Sequence, residues 1–409
     1  MAQDHGAGQG NNGVFTPEFE ANPHPIYAVL RDKDAVHAIG LPSGKHAWLV
    51  TRYADARKAL ADPRLSTDVR RFGHLDAFAL VPADLRRAMT SHMLNADPPH
   101  HARLRRLVAD VFTPRRIEAM RPLVERLAAD LLEGIDPDRA DLVRDFAAPL
   151  PAGVLCELLG IPAADQDRFR EWSTVIVAGR LAADRFPAAA TAMYHYLRQL
   201  LAAKRRQPAD DLLSELVAAR VENDRLSEDE LSSMVFLFLV AGQETAANLI
   251  GTALYLFLRH PDQLALLRQR PELLPEAIEE VLRYESPVEM ATHRFVAADL
   301  ELGGQAIPAG DVVLVALNSA NRDGDRFDDA DRLDLARRDN PHLAFGHGVH
   351  FCLGAQLARL EARVALAAAL DRFAELRLAV ADAELVWRPG VLRGLVALPV
   401  RLCPRDLVD

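Results

Sequence analysis

Cys352 is the residue of this 409-residue chain best placed to do chemistry. It closes the run Phe345-Gly346-His347-Gly348-Val349-His350-Phe351 and is followed by Leu353, Gly354 and an Ala/Leu/Arg-rich stretch. Glycines let the backbone turn tightly and approach a large flat partner without Cβ clashes. A sulfur just ahead of a helix start is stabilised as thiolate by free N–H groups and the positive end of the helix dipole. From these residues alone three readings stay open. Cys352 could pack as a small buried hydrophobe. It could join His347 and His350 in a zinc site, although no fourth ligand stands at a recognisable spacing. Or it could be the axial ligand of a heme iron.

Other polar groups fall at spacings that place them together. Glu280 and Arg283 are three apart on a helical stretch, so carboxylate and guanidinium share a face. His101 and Arg105 share a face four apart, after Asp97-Pro98-Pro99. Glu244 and Thr245 sit beside Ala241 and Gly242 in a long apolar run, a hydroxyl and a carboxylate suited to proton transfer. Taken singly, each also fits a plain surface pair or polar helix face.

The elements that must position these groups are mostly helical. From Pro98 to about Arg259 the helical pattern is nearly continuous, broken by prolines at 114, 149, 162 and 208. Asp97 caps a helix with Pro98 and Pro99 in its first turn. Leu226 to Leu258 reads as one very long helix opened by Ser227, with Asp229 and Glu230 in its first turn. A second strong helix runs Glu272 to Tyr284, and another Ala355 to about Phe373. Strand patterns fall at His46–Thr51, Arg294–Val296, Val312–Ala316 and Glu384–Val400. The fold class expected is mainly α with a small β portion. Residues 1–14 read as a disordered Gly-rich tail, and 15–409 as a single domain.

A net charge of −10 argues against binding nucleic acid through phosphates. Three cysteines, at 156, 352 and 403, are too few for a disulfide framework, and a reducing cytoplasm fits. No apolar run reaches the ~18 residues of a membrane span, so a soluble, cytoplasmic protein without membrane partners is expected.

The run FGHGVHFCLG resembles the heme-binding loop of the cytochrome P450 superfamily, with Phe345, Gly348, His350, Cys352 and Gly354 in place. Glu280-x-x-Arg283 and Ala241-Gly242-Gln243-Glu244-Thr245 match the same family in the same order, and the resemblance spans about residues 15 to 402. NADPPHHARLRRLV and LVAGQETAANLI bring it nearest to the bacterial branch that tailors macrolides and other polyketides. Two positions depart from that branch, His100 and Gln243.

The resemblance implies heme b between a long distal helix and a proximal cysteine-loop helix, with Cys352 on the iron. It assigns proton relay to Glu244 and Thr245 beside a locally opened helix. His101, Arg105, Arg294 and His350 would hold the propionates, His101 in preference to His100. Glu280 and Arg283 would form a structural cluster completed by Arg332 or Arg337, with Arg332 chosen. Candidate pocket walls are Met93, Leu94, Trp172, Val177, Phe238, Leu239 and Ala241, joined by Val288, Met290, Ala291, Val391 and Leu392. Such apolar lining suits a bulky lipophilic substrate held by shape; Glu289, the exception, is expected to face solvent.

The implied activity is insertion of one oxygen atom from O2 into a macrolide, polyketide or similar metabolite, by hydroxylation or epoxidation. Peroxide-using or oxidative-coupling chemistry and a non-catalytic heme sensor are the alternatives. No flavin, nicotinamide or iron–sulfur motif is present, so NAD(P)H electrons are expected from a separate ferredoxin and ferredoxin reductase. Arg103, Arg106, Arg116 and Arg359 are the cations expected to attract them, and the enzyme is expected to be a monomer.

Overall fold

The computed structural model describes residues 12–69, 83–178, 182, 184–221 and 224–404. The chain forms two compact units interleaved in sequence. The first comprises residues up to Thr67, Glu279–Phe351 and Val386–Gly394; the second comprises Asp68–Ile278, Cys352–Leu385 and Leu395 onward.

The first unit is built on a five-stranded sheet ordered Val36–Gly40, His46–Val50, Val312–Val315, Arg294–Val296 and Leu65–Ser66. His46–Val50 pairs antiparallel with Val36–Gly40 and parallel with Val312–Val315, placing Trp48 opposite Val313. The tight turn between the first two strands closes through Gly44, whose N–H reaches the Leu41 carbonyl at a φ of 78°. Alternation explains how one sheet serves two cores. Ile39, Ala47, Leu49 and Leu314 pack with Val14 and with Phe19 and Tyr27 from the N-terminal helices, whereas Val36, Val50, Val313 and Val315 pack under the helix Tyr53–Ala61.

The second unit surrounds the helix Glu228–Arg259. Ser227 caps it in a full capping box: the Glu230 N–H donates to Ser227 Oγ (3.2 Å), and the Ser227 N–H to Glu230 Oε2 (2.8 Å). Three acidic residues in its first turn complement the dipole. It packs against Ala83–Thr90, Pro149–Leu159 and Ala355–Arg372, and is buried nearly all round, as a central helix must be. Its apolar window, at a mean hydropathy of 1.4, is long and apolar enough to cross a membrane by length and composition alone, but 67% of that window is buried in the protein. Ala355–Arg372 in turn packs on Arg121–Glu133.

The fold is mainly helical with a small β portion, as expected. Four local readings need correction. Asn12–Val14 are not tail: Asn12 donates to the Ala38 carbonyl (3.2 Å) and Val14 is fully buried, while residues 1–11 lie outside the described residues. The helix after Asp97 starts at His100, with Pro98 and Pro99 before it and the His101 N–H on the Asp97 carbonyl (2.9 Å). A 3-10 turn, Pro271–Leu273, precedes the helix Leu274–Tyr284. Residues 384–400 are not a strand. They make isolated bridges, Val288 to Leu392 and Asp141 to Pro399, and only Val400–Pro404 pairs regularly, against Phe373–Leu378.

Candidate active site

In the second unit Cys352 stands two residues before Gly354, the N-cap of Ala355–Arg372. Its side chain is reached by a water-sized sphere, yet surrounding protein pushes the thiol up by burial. Against that burial work the Gly354 N–H, Arg105 and Arg359, each favouring the thiolate. A Cβ on Gly354 would meet nothing, so the backbone here borders open room.

The long helix shows the matching feature. Leu231–Leu239 and Ala246–Leu254 are buried throughout, but Val240–Thr245 are not, and Ala241 and Gly242 are exposed. A Cβ on Gly242 would also meet nothing within 4 Å. The opening lies in the side chains and not in the backbone: the helix runs unbroken, correcting the expectation of a locally opened turn. Thr245 Oγ1 donates to the Ala241 carbonyl at 2.6 Å, the four-residue back-bond of a helical threonine. Glu244 is half-buried beside it.

A large, flat, mostly apolar group fits these observations. It needs a sulfur donor facing a space, cations or N–H groups to keep that sulfur anionic, and a helix thinned to small side chains. Heme meets that description, and Cys352 supplies its one soft donor. Among the described residues no group of three or more His, Cys, Asp or Glu side chains converges, so His347, His350 and Cys352 are not gathered as zinc ligands.

The second unit also carries His101, buried, and Arg105, half-buried, on the helix His100–Ala109. Burial lowers the His101 imidazole, helped by the Arg105 charge and opposed by Asp97. Burial likewise lowers Arg105, with Cys352 opposing. His100 instead lies 3.7 Å from Glu230. In the first unit Arg294 is buried in its strand and donates to Thr292 Oγ1 (3.1 Å), and His350 Nε2 lies 3.3 Å from Thr67 Oγ1. Thr67 was not singled out from sequence, since a threonine after a two-residue strand carries no signal.

The cysteine loop is shaped within the first unit. Gly348 has a φ of 75°, and a Cβ there would lie 3.0 Å from the Leu60 carbonyl oxygen and 3.2 Å from Ala61 Cα. Both conditions call for glycine. Phe345 lies between the rings of His342 (5.9 Å) and Phe351 (6.3 Å).

Glu280 and Arg283 form a fully buried bidentate pair, at 2.8 and 2.7 Å. The third member is Arg337, not Arg332: Arg337 Nε donates to Glu280 Oε2 (3.1 Å), whereas Arg332 contributes only its carbonyl, which accepts from Arg283 (3.0 Å). The Asp334 N–H (2.9 Å) and Asn340 Nδ2 (3.1 Å) complete the carboxylate's partners.

The pocket candidates divide. Ala241 is exposed; Leu94, Val288, Ala291 and Leu392 are half-buried; Val391 is exposed. Leu239 and Met290 are corrected: both are buried in core clusters and have no face left for a ligand. Met93 and Phe238 are also buried, Phe238 with its ring edge-on to Phe112 (5.2 Å). Trp172 packs on Tyr196 (5.7 Å) under Arg168. The Val177 side chain lies outside what is described. Glu289 is corrected too. Only 3% exposed, it is buried with Arg393 (3.8 Å) and accepts from Asn318 Nδ2 (2.9 Å). Nor are all the expected docking cations free, since Arg103 is held by Asp224 and Glu230, and Arg116 by Glu215.

Known proteins are similar to this chain over most of its length. The family model for cytochrome P450 matches residues 183–379. Cytochrome P450 107B1 of Saccharopolyspora erythraea is 48% identical over 95% of this chain and 97% of its own length. Vitamin D(3) 25-hydroxylase of Pseudonocardia autotrophica is 47% identical over 98% of each. The structure of the bacillaene polyketide synthase cytochrome P450 PksS of Bacillus subtilis 168 superposes with a TM-score of 0.89 at 39% identity, over 95% of this chain and 98% of that one. Similar to these proteins along nearly its whole length, the chain belongs to the cytochrome P450 family and is a heme-thiolate monooxygenase served by separate redox proteins.

Proposed function

We propose that this enzyme inserts one oxygen atom from O2 into a bulky apolar polyketide, such as a macrolide. The observation that carries the reading is the single window of exposed, small residues, Ala241 and Gly242, in a helix otherwise buried on both sides of it. It leaves room for a broad substrate where Thr245 and Glu244 stand ready. The half-buried apolar side chains of Leu94, Val288, Ala291 and Leu392 supply contacts of shape and not of charge. The polyketide-associated PksS structure supports the substrate class.

Bound heme supplies the oxygen-activating iron, with thiolate ligation favouring O–O cleavage. Cys352 would hold that iron, and the Gly354 N–H, Arg105 and Arg359 favour its thiolate against the burial that pushes the thiol up. His101, Arg105, Arg294 and His350 would hold the propionates, while Phe345, Gly348 and Gly354 shape the loop. Thr245 has its hydroxyl proton on the Ala241 carbonyl, so its oxygen offers lone pairs to the open side and accepts there. It hands on a proton only by rotating off that carbonyl. Glu244 replenishes it through water. A ferredoxin and its reductase deliver NAD(P)H electrons to a cytoplasmic monomer.

The reduced, carbon monoxide-treated protein is expected to show a band near ~450 nm that is lost in Cys352→Ala; a band that survives the substitution removes Cys352 from the iron. Substrate class is then read by screening macrolides and secosteroids for a ligand-induced spin-state shift, with turnover by ferredoxin and reductase compared with turnover by hydrogen peroxide. A response to secosteroids alone overturns the polyketide reading, and turnover by peroxide alone overturns the dependence on a redox partner.

A further inference from the structure

The buried charge around Glu289 has no part in oxygen chemistry, and its geometry gives it another task. Pro287–Ala291 is an irregular segment hydrogen-bonded on both sides. On one side the Glu289 N–H donates to the Val391 carbonyl (2.8 Å), the Arg393 N–H to the Pro287 carbonyl (2.8 Å), and Val288 bridges Leu392. On the other, the Ala291 N–H donates to the Val315 carbonyl (2.9 Å) and the Leu317 N–H to the Glu289 carbonyl (3.0 Å).

Arg393 locks this arrangement. Its Nε donates to Glu285 and lies 3.8 Å from Glu289. Its remaining N–H groups donate to the Glu20 (3.0 Å) and Ala21 (3.2 Å) carbonyls, and its plane lies over the Trp387 ring at 4.2 Å. All three charged groups are at most 6% exposed. Burial opposes ionisation of Glu285, but Arg393 and His24 hold it well below the usual carboxylate range. A buried charge cluster of this kind is often no more stabilising than an apolar replacement. What it fixes is geometry, because a planar fork meets one carboxylate and two carbonyls in only one orientation.

We propose that Arg393 is a positioning residue for substrate selection. Hydrogen-bonded to Glu285 and 3.8 Å from Glu289, it holds residues 287–291 and 391–393 in register and so sets the shape of the apolar wall made by Val288, Ala291 and Leu392. The proposal rests on the reading of those residues as pocket wall given under Proposed function.

The test compares two iron ligands on the heme-loaded enzyme, imidazole and 4-phenylimidazole, titrated by the Soret shift. Imidazole reports access to iron; the added phenyl ring reports the wall. Arg393→Met is expected to keep the ~450 nm carbon monoxide band and to bind imidazole within about twofold of the parent, while 4-phenylimidazole weakens about tenfold. Arg393→Lys restores part of that loss, because charge is kept and the fork is not. Glu289→Gln, which keeps size and a hydrogen-bonding amide, is expected to weaken 4-phenylimidazole about threefold, and it decides the question if Arg393→Met does not load heme. Parallel weakening of both ligands, or an unchanged ratio between them, overturns the clamp. Leu392→Phe separates the two layers of argument. If it shifts 4-phenylimidazole affinity while the clamp variants do not, the clamp alone fails; if it is silent too, the wall reading fails and the proposal with it.

Discussion

Arg337→Met and Arg332→Met should differ sharply in stability, although the two arginines stand five residues apart in the same irregular stretch. Arg337 gives Glu280 a charge-assisted hydrogen bond at 3.1 Å from a side chain only 11% exposed. Such a bond contributes about 1.5–3 kcal/mol. Its further bonds, to the Asp328 carbonyl (2.8 Å) and, more weakly, to Asp329 and Arg332, lie at the surface and add little. Methionine keeps most of the apolar stem, and Glu280 retains Arg283, Asn340 and the Asp334 N–H, so no buried charge is orphaned. The expected loss is therefore about 2 kcal/mol, which at ~2 °C per kcal/mol for a large chain lowers the midpoint by about 4 °C. Arg332 enters the cluster through its backbone, which methionine preserves, and should stay within about 0.5 kcal/mol. The assay is the temperature at which half of the ~450 nm carbon monoxide band is lost after a fixed incubation, compared at one heating protocol because unfolding of such proteins is often irreversible. An Arg332→Met midpoint that falls as far as that of Arg337→Met refutes the assignment.

Three further outcomes follow from the geometry. Burial raises the Glu361 carboxyl, in the helix Ala355–Arg372, to about 8. A carboxyl raised on folding contributes stability below its ordinary value near 4.5 and loses it as pH climbs through about 8. Glu361→Gln should therefore gain on the parent increasingly between pH ~5.5 and ~8.5, by on the order of a few kcal/mol; midpoints that run parallel across that range would show that Glu361 is not held neutral. Thr245→Ala should release more hydrogen peroxide per NAD(P)H consumed at unchanged heme content, and unchanged coupling takes Thr245 out of the proton path. Gly348→Ala, forced to a φ of 75° with its methyl 3.0 Å from the Leu60 oxygen, should lower heme loading at equal expression, whereas full loading would mean the loop yields.

What was legible in the sequence was local or carried by long motifs. Ser227 and Glu230 announce their helix because a cap needs only residues three apart. Arg294–Val296 was found to the residue, and the cysteine loop declared itself through glycines. What stayed hidden depends on which distant partner a side chain meets. Nothing in the spacing tells Arg337 from Arg332, since the stretch that carries them has no period. Glu289 looks like surface because its compensating charge, Arg393, is about a hundred residues away. Residues 384–400 have strand composition but meet partners only at single bridges, so their extended backbone never becomes a ladder. The tail reading stopped two or three residues too late for the opposite reason: Val14 fills a core whose other side is the sheet.

The interleaving of the two units sets a timetable for the ribosome. The strands Val36–Gly40 and His46–Val50 emerge early, but the neighbours that complete their sheet, Arg294–Val296 and Val312–Val315, belong to the far end of the message. At ~5–20 residues per second, tens of seconds separate Trp48 from its partner Val313. Throughout that interval the edge of His46–Val50 that pairs with Val312–Val315 has no partner strand, the kind of surface that recruits other chains. Arg393 arrives later still to fasten the carbonyls of Glu20 and Ala21. Yield in a foreign host is therefore expected to respond to slower growth or added chaperone before it responds to heme supply.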